Sequence, residues 1–121
     1  MCSSDLYFFH GGPIVVVDDA RGPDTLPAAF IWHLPEGASI EGERVTLREG
    51  VSPAEMVLVP ITGNIHPIEN GILFQASDRL ALVSVFLTRD WVGAKVHFIS
   101  GNLQIIQENQ QITLPIPEEI R

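Results

Sequence analysis

Pro13-Ile14-Val15-Val16-Val17-Asp18 and, past the turn-rich Arg21-Gly22-Pro23-Asp24-Thr25, Ala28-Ala29-Phe30-Ile31-Trp32-His33-Leu34-Pro35 are two strand-length apolar runs, each closed by a polar residue and a breaker. Runs of this length, rich in β-branched and aromatic residues, predict two buried β-strands joined by a surface loop. The same cadence continues in both directions. Strands are expected at Leu6–Phe9, Ile14–Val17, Ala28–Leu34, Arg44–Arg48, Met56–Ile61, Ile72–Ala76, Leu80–Thr88, Lys95–Ile99, Leu103–Gln107 and Gln111–Ile116. Glu41-Gly42, Gly101-Asn102 and Glu108-Asn109 supply hairpin chemistry between neighbours, so the pairing is expected to be antiparallel. About ten short strands without helical periodicity predict an all-β fold, an antiparallel β-sandwich, with a barrel as the lesser option.

Periodicity separates the strands into two kinds. Arg44-Val45-Thr46-Leu47-Arg48 and Gln111-Ile112-Thr113-Leu114-Pro115-Ile116 alternate apolar with polar, so they are expected at the outside or edge of a sheet. Pro115 supports an edge, because it has no N–H to donate to a ladder. Ile14–Val17 and Leu80-Ala81-Leu82-Val83-Ser84-Val85-Phe86-Leu87 are apolar on both faces. A two-layer sandwich does not need that. Either loops cover the outer faces, or a further layer belongs there and this chain is an incomplete part of a larger sandwich.

The 121 residues suit one domain, and a 45% hydrophobic content suffices for a modest core. Uninterrupted apolar runs span only a few residues, far below the roughly 20 needed to cross a bilayer. No basic start leads into an apolar stretch with a cleavage site, so a soluble chain without membrane contact is expected. One cysteine, Cys2, excludes an internal disulfide. The net charge of −8 argues against nucleic acid, whose phosphates repel acidic surfaces. Most of the imbalance, −7, falls in residues 1–70, with −1 in the remainder.

The beginning of the chain carries a signal of a different kind. Cys2-Ser3-Ser4-Asp5-Leu6 is what TGCTCTTCCGATCTG encodes, and most of that string is the end of a widely used short-read sequencing adapter. Residues 1–5 are therefore expected to be a non-native or disordered tail, residues 6–121 a single sandwich domain, and the natural protein is expected to continue upstream.

The order strand, Val15-Val16-Val17-Asp18, loop, then a strand ending Trp32-His33-Leu34-Pro35 resembles the C-terminal β-sandwich of the heparinase II/III-like polysaccharide lyases, alginate lyases of similar build among them. The hairpin Ser39-Ile40-Glu41-Gly42-Glu43-Arg44-Val45-Thr46-Leu47 and the late apolar strand Ala81–Thr88 fit the same pattern, which covers roughly residues 7–116. The resemblance is one of cadence. It implies a parent enzyme that breaks a uronic-acid-containing polysaccharide by β-elimination, and a periplasmic or secreted location. It also implies partners absent from this sequence, namely an N-terminal helical toroid carrying a catalytic tyrosine and upstream sandwich strands bearing a histidine-rich metal segment. The acidic polysaccharide would be met through the parent, with the present residues bracing the toroid and flooring the cleft. Asp18 matches the family's Val-Asp position, whereas Asp19 stands where a basic residue is common.

The residues themselves offer little catalytic chemistry. His10, His33, His66 and His97 lack the close spacing of zinc ligands, so no metal site and no cofactor is expected in this chain. Tyr7, beside Phe8 and Phe9, reads as a core aromatic. Asp18, Asp19 and Asp24 near Arg21 match neither an acid/base pair nor a calcium loop, and a solvated turn is expected there. Gly11-Gly12-Pro13 lacks the later glycines of a phosphate-binding loop and is expected to be a turn or bulge. Trp32 beside His33 pairs an aromatic face with a hydrogen-bonding ring, as sugar sites do, although a strand-end Trp-His pair more often splits into core and rim. His33, Trp32, Arg21 and Asp18 are thus the candidate substrate contacts, with no catalytic residue assigned. The alternative is an autonomous carbohydrate-binding or adhesion sandwich, in which Trp32, Trp91 and His33 would form an exposed stacking surface. A purely structural module of a large surface protein is a third reading.

Overall fold

The computed structural model describes residues 2–21, 28–47, 54–76 and 79–118. Twelve strands occur among them: β1 (Cys2–Phe8), β2 (Ile14–Arg21), β3 (Ala28–His33), β4 (Ser39–Glu41), β5 (Arg44–Leu47), β6 (Ala54–Thr62), β7 (Asn64–Ile68), β8 (Gly71–Ala76), β9 (Arg79–Thr88), β10 (Lys95–Ile99), β11 (Asn102–Gln107) and β12 (Gln110–Pro115). A short 3-10 turn, Arg89–Trp91, follows β9. All pairings are antiparallel. The strands form a six-stranded sheet in the order β1-β2-β9-β6-β5-β4 and two three-stranded sheets, β3-β8-β7 and β10-β11-β12.

The sandwich is all-β as expected, but it has three layers. Side-chain parity along β9 shows why. Ala81, Val83, Val85 and Leu87 join Val15 and Val17 of β2 and Val57 of β6 in a core closed by Trp91, Ala94, Leu103, Ile105 and Ile116, from the β10-β11-β12 side. Leu80 and Leu82 face the other way, joining Met56, Leu58, Val45, Ile72, Phe74 and Ala76 in a second core beneath the β3-β8-β7 sheet, with Phe30, Trp32 and Phe86 packed on its margin. Successive side chains of a strand point to opposite faces, so one ten-residue strand serves both cores. The double-sided apolar character of β9 is thus accounted for by two sheets of the same chain, and neither loops nor an additional layer are needed to cover β9.

Of the two alternating strands, β12 takes the edge position expected of it, whereas β5 is paired on both sides, with β4 outside it. β12, with Pro115, is an edge strand, and β5 lies one strand in from the edge, with Val45 buried below and Arg44 and Thr46 half-buried on the opposite face. Two strands escaped the sequence reading. β4 was recognised only as the first arm of a hairpin, and β7, Asn64-Ile65-His66-Pro67-Ile68, carries a proline that argues against a strand except at an edge, which is where it lies. Residues 2–5, expected as a tail, run in β1 with Cys2 opposite Ala20 and Asp5 opposite Val17. The expected turn between β10 and β11 is shifted by one residue, to Ser100-Gly101, both at positive φ (51° and 80°) as a type I′ hairpin requires.

The chain passes between sheets five times, and the two departures from the central sheet that lie wholly within the described residues carry specific contacts. At the end of β6 a bulge between Pro60 and Thr62 interrupts the pairing with β9, which is how a proline is accommodated in a central strand. Thr62 Oγ1 then donates to Arg79 O (2.6 Å) and accepts from the Ala81 N–H (3.0 Å), stapling the bulge. Gly63 follows at φ 88°, with its backbone pressed against β8, so that an added Cβ would collide with the carbonyl oxygen of Gln75. The second crossing is the turn after β9, where the Ala94 N–H donates to Trp91 O (3.0 Å) and the chain enters β10.

Gly63→Ala therefore combines an unfavourable backbone conformation with a clash against main chain, and is expected to lower stability by about 3 kcal/mol or more. Urea unfolding followed by circular dichroism measures it; a midpoint unchanged from the parent chain contradicts the crossing described.

Candidate functional site

The β3-β8-β7 sheet turns one face to the core and the other outward. The register fixes the outward face as three cross-strand rows: Ala29, Gln75 and Asn64; Ile31, Leu73 and His66; His33, Gly71 and Ile68. Seven of these nine residues are exposed, with Leu73 half-buried and Gly71 buried. Ile31 and Ile68 retain 45% and 39% exposure. None of the nine is Asp, Glu, Lys or Arg, in a chain that carries fifteen acidic residues. The result is a flat surface of amide and imidazole groups around a small apolar centre. Gly71 leaves a gap between His33 and Ile68, and its backbone lies so close to Trp32 O that a Cβ would stand 2.6 Å from it. An open recess whose lining includes Leu34, Glu36, Ala38, Ile40, Ile68 and Gly71 borders the His33 end, and a second, whose lining includes Ile40, Glu43, Pro60, Gly63, Asn64, Ile65 and Pro67, adjoins β7, so carboxylates flank the face without standing on its three rows.

The four sequence candidates are not brought together. His33 is exposed on this outer face, while Trp32, its neighbour on β3, points to the opposite side. Trp32 packs edge-on against Phe30 and Phe86, both at 5.7 Å between centroids, and its indole N–H donates to Ser84 Oγ at 3.2 Å. Trp91 is buried in the core on the far side of the central sheet. Trp32, Trp91 and His33 therefore do not form one stacking surface. The Arg21 side chain and Asp24 lie outside the described residues.

The expected solvated turn at Asp18 and Asp19 is replaced by strand, because β2 continues to Arg21 along β9. Asp18 is buried and accepts a hydrogen bond from the Ser4 hydroxyl. Asp19 pairs with Arg79 of β9 at 3.5 Å. The hydroxyl and guanidinium that meet these carboxylates come from β1 and β9, contacts that local turn chemistry does not anticipate, and Asp18 Oδ2 is buried without a hydrogen-bond partner. Tyr7 packs against the first core, as expected.

The other concentration of charge is structural. Glu55 of β6 accepts from Arg44 Nη1 (3.0 Å) and from the Gly93 N–H (2.5 Å), while Arg44 Nη2 donates to Ala94 O (2.6 Å). The pair ties the central sheet to the turn entering β10. Among the described residues, no group of three or more His, Cys, Asp or Glu stands together as a metal site would require.

Sequence reasoning missed His66, Asn64 and Gln75 as members of a common face. The signal was present in the alternation of Asn64-Ile65-His66-Pro67-Ile68, obscured by Pro67. No protein-family model, curated protein or solved structure matches the chain.

With both indoles turned inward, tryptophan emission of the native chain is expected to be blue-shifted and unmoved by added glycan; a red emission that shifts on titration contradicts this placement. Arg44→Met leaves Glu55 without its charged partner, and is expected to cost about 1–3 kcal/mol, less than for a fully buried pair because Arg44 is partly solvated. A thermal unfolding midpoint within error of the parent contradicts the structural role.

Proposed function

We propose that this chain is a non-catalytic C-terminal sandwich of a lyase that cleaves uronic-acid-containing polysaccharides by β-elimination, and that the outer face of the β3-β8-β7 sheet lies along the substrate cleft. The observation that carries the reading is the absence of carboxylates from that face. A polyanionic sugar approaching an acidic protein is repelled wherever Asp and Glu dominate, and is met here by His33, His66, Gln75 and Asn64 instead. Imidazole and amide groups can exchange hydrogen bonds with hydroxyls and donate from their N–H groups to carboxylate oxygens. The parent class comes from the resemblance of residues 7–116 to the heparinase II/III-like sandwich.

The division of labour follows from the side chains. β-Elimination requires a base to remove the proton beside the uronate carboxyl and an acid to protonate the leaving oxygen, each within hydrogen-bond reach of its own target. On this face the two imidazoles, His33 and His66, stand on strands separated by β8 and in different rows, and the described guanidiniums beside carboxylates, Arg44 with Glu55 and Arg79 with Asp19, are held in cross-strand contacts. Catalysis is assigned to the upstream body.

Two measurements test the proposal. Incubating the purified chain with alginate, heparin or chondroitin is expected to give no unsaturated-uronate absorbance, and turnover contradicts the non-catalytic assignment. Titrating the same chain with oligouronates under NMR is expected to shift resonances of His33, His66, Gln75 and Asn64, weakly and together. Shifts confined to other surfaces, or none, contradict the assignment of the face.

A further inference from the structure

His33 and His66 are the only titratable side chains on the three outward rows of the β3-β8-β7 sheet, and both are exposed. The other seven members are aliphatic, glycine or carboxamide, and carry no charge at any pH. The two rings stand on either side of β8 and one row apart, which places their Cα atoms about 12 Å from each other by strand spacing and rise. They are too far apart to share one ligand atom, yet an extended chain lying across the sheet meets both. Among the described residues, carboxylates approach this face from its margins. Glu36 lines the recess at the His33 end, and Glu69 occupies the β7-β8 turn, which is tied to the end of β3 by the Leu34 N–H donating to Asn70 O. Glu43 lines the recess adjoining β7, on the His66 side.

Resting on the assignment of this face to a uronic-acid-containing glycan, we propose that its binding is gated by protons: the face grips a polyuronate when His33 and His66 are protonated and releases it as pH rises. An imidazole changes its charge between about pH 8 and pH 5. Carboxylates are ionised throughout that window, on the glycan and at the margins of the face alike, so the imidazoles are the groups that change. When neutral, each ring offers one N–H, and the negative field of a chain of net charge −8 opposes the anion. When protonated, each ring donates from both nitrogens and carries a positive charge, and charge-assisted bonds to carboxylate are shorter and stronger. No Lys or Arg stands on the rows to hold the anion once the rings are neutral, so the whole attractive charge of the face is switched. The sign follows from linkage: a bound carboxylate favours the protonated ring, binding therefore takes up protons, and affinity rises as pH falls. Each exposed ion pair is worth a few-fold in affinity, so the two together give about tenfold across the window.

Calorimetric and NMR titration of the whole chain with an oligogalacturonate at about pH 8 and about pH 5.5, at low ionic strength, tests this. Affinity is expected to rise about tenfold toward the lower pH, with proton uptake read from the dependence of the binding heat on the ionisation heat of the buffer. A neutral glucose oligomer of the same length is expected to show no such rise. The double variant His33→Gln, His66→Gln is expected to bring the ratio of the two affinities close to one. The control double variant His10→Gln, His97→Gln, which removes exposed imidazoles from the β1-β2 turn and from β10, is expected to keep the ratio of the parent. Binding to this face with equal affinity at both pH values overturns the gating and leaves the assignment of the face standing. A rise that survives in the His33, His66 variant also overturns it, by placing the proton elsewhere. Absence of binding to this face at either pH overturns the gating and the assignment together.

Discussion

The burial of β9 and β6 on both faces is the constraint from which the remaining architecture follows. Nine of the ten residues from Arg79 to Thr88 are buried or half-buried, and each fully buried Val or Leu contributes on the order of 1.5–3 kcal/mol relative to exposure. A strand of this kind gains that stabilisation only if apolar surface is supplied on two sides. The chain supplies it by leaving the central sheet three times, after β2 into β3, through Gly63 into β7 and β8, and through the Trp91–Ala94 turn into β10, β11 and β12. Ser84, the one polar residue in the buried stretch, is satisfied by the Trp32 indole, so even the exception serves to register one layer on another.

Polar groups in this molecule work mainly as fasteners between elements distant in sequence. Glu55 and Arg44 bind the central sheet to the entry of β10, Ser4 holds Asp18 across the β1-β2 ladder, and Thr62 closes the bulge that redirects β6. Each is a cross-layer or cross-strand contact, which explains why a chain with a net charge of −8 offers little convergent chemistry. The outer face of β3-β8-β7 is the contrasting surface, uncharged and committed to no fastening contact of this kind.

The fold class was legible because period-two alternation and strand-length apolar runs are local signals. Strand ends were less so. β2 runs four residues past Val17 because Asp18 and Asp19 find partners on β1 and β9, and a carboxylate's long-range partner leaves no trace in its neighbours. The number of layers was ambiguous for a related reason. Leu80–Leu87 announces that both faces are buried, but whether loops, this chain's own sheets or another body cover them depends on topology. At the candidate site, the division of Trp32 and His33 between core and surface follows from strand alternation alone, whereas the gathering of His33, His66, Gln75 and Asn64 needed the pairing of β3 and β7 with β8.

A sandwich whose central strands β9 and β6 are covered on both faces by its own outer sheets makes a direct demand on backbone dynamics. Native-state hydrogen exchange, resolved by residue, tests it. Amides of β9 and β6 are expected to exchange only through global unfolding, with those of the edge strands β12, β7 and β4 opening earlier. Exchange in β9 as rapid as in β12 would mean that one of its faces is open to water, and would contradict the three-layer account.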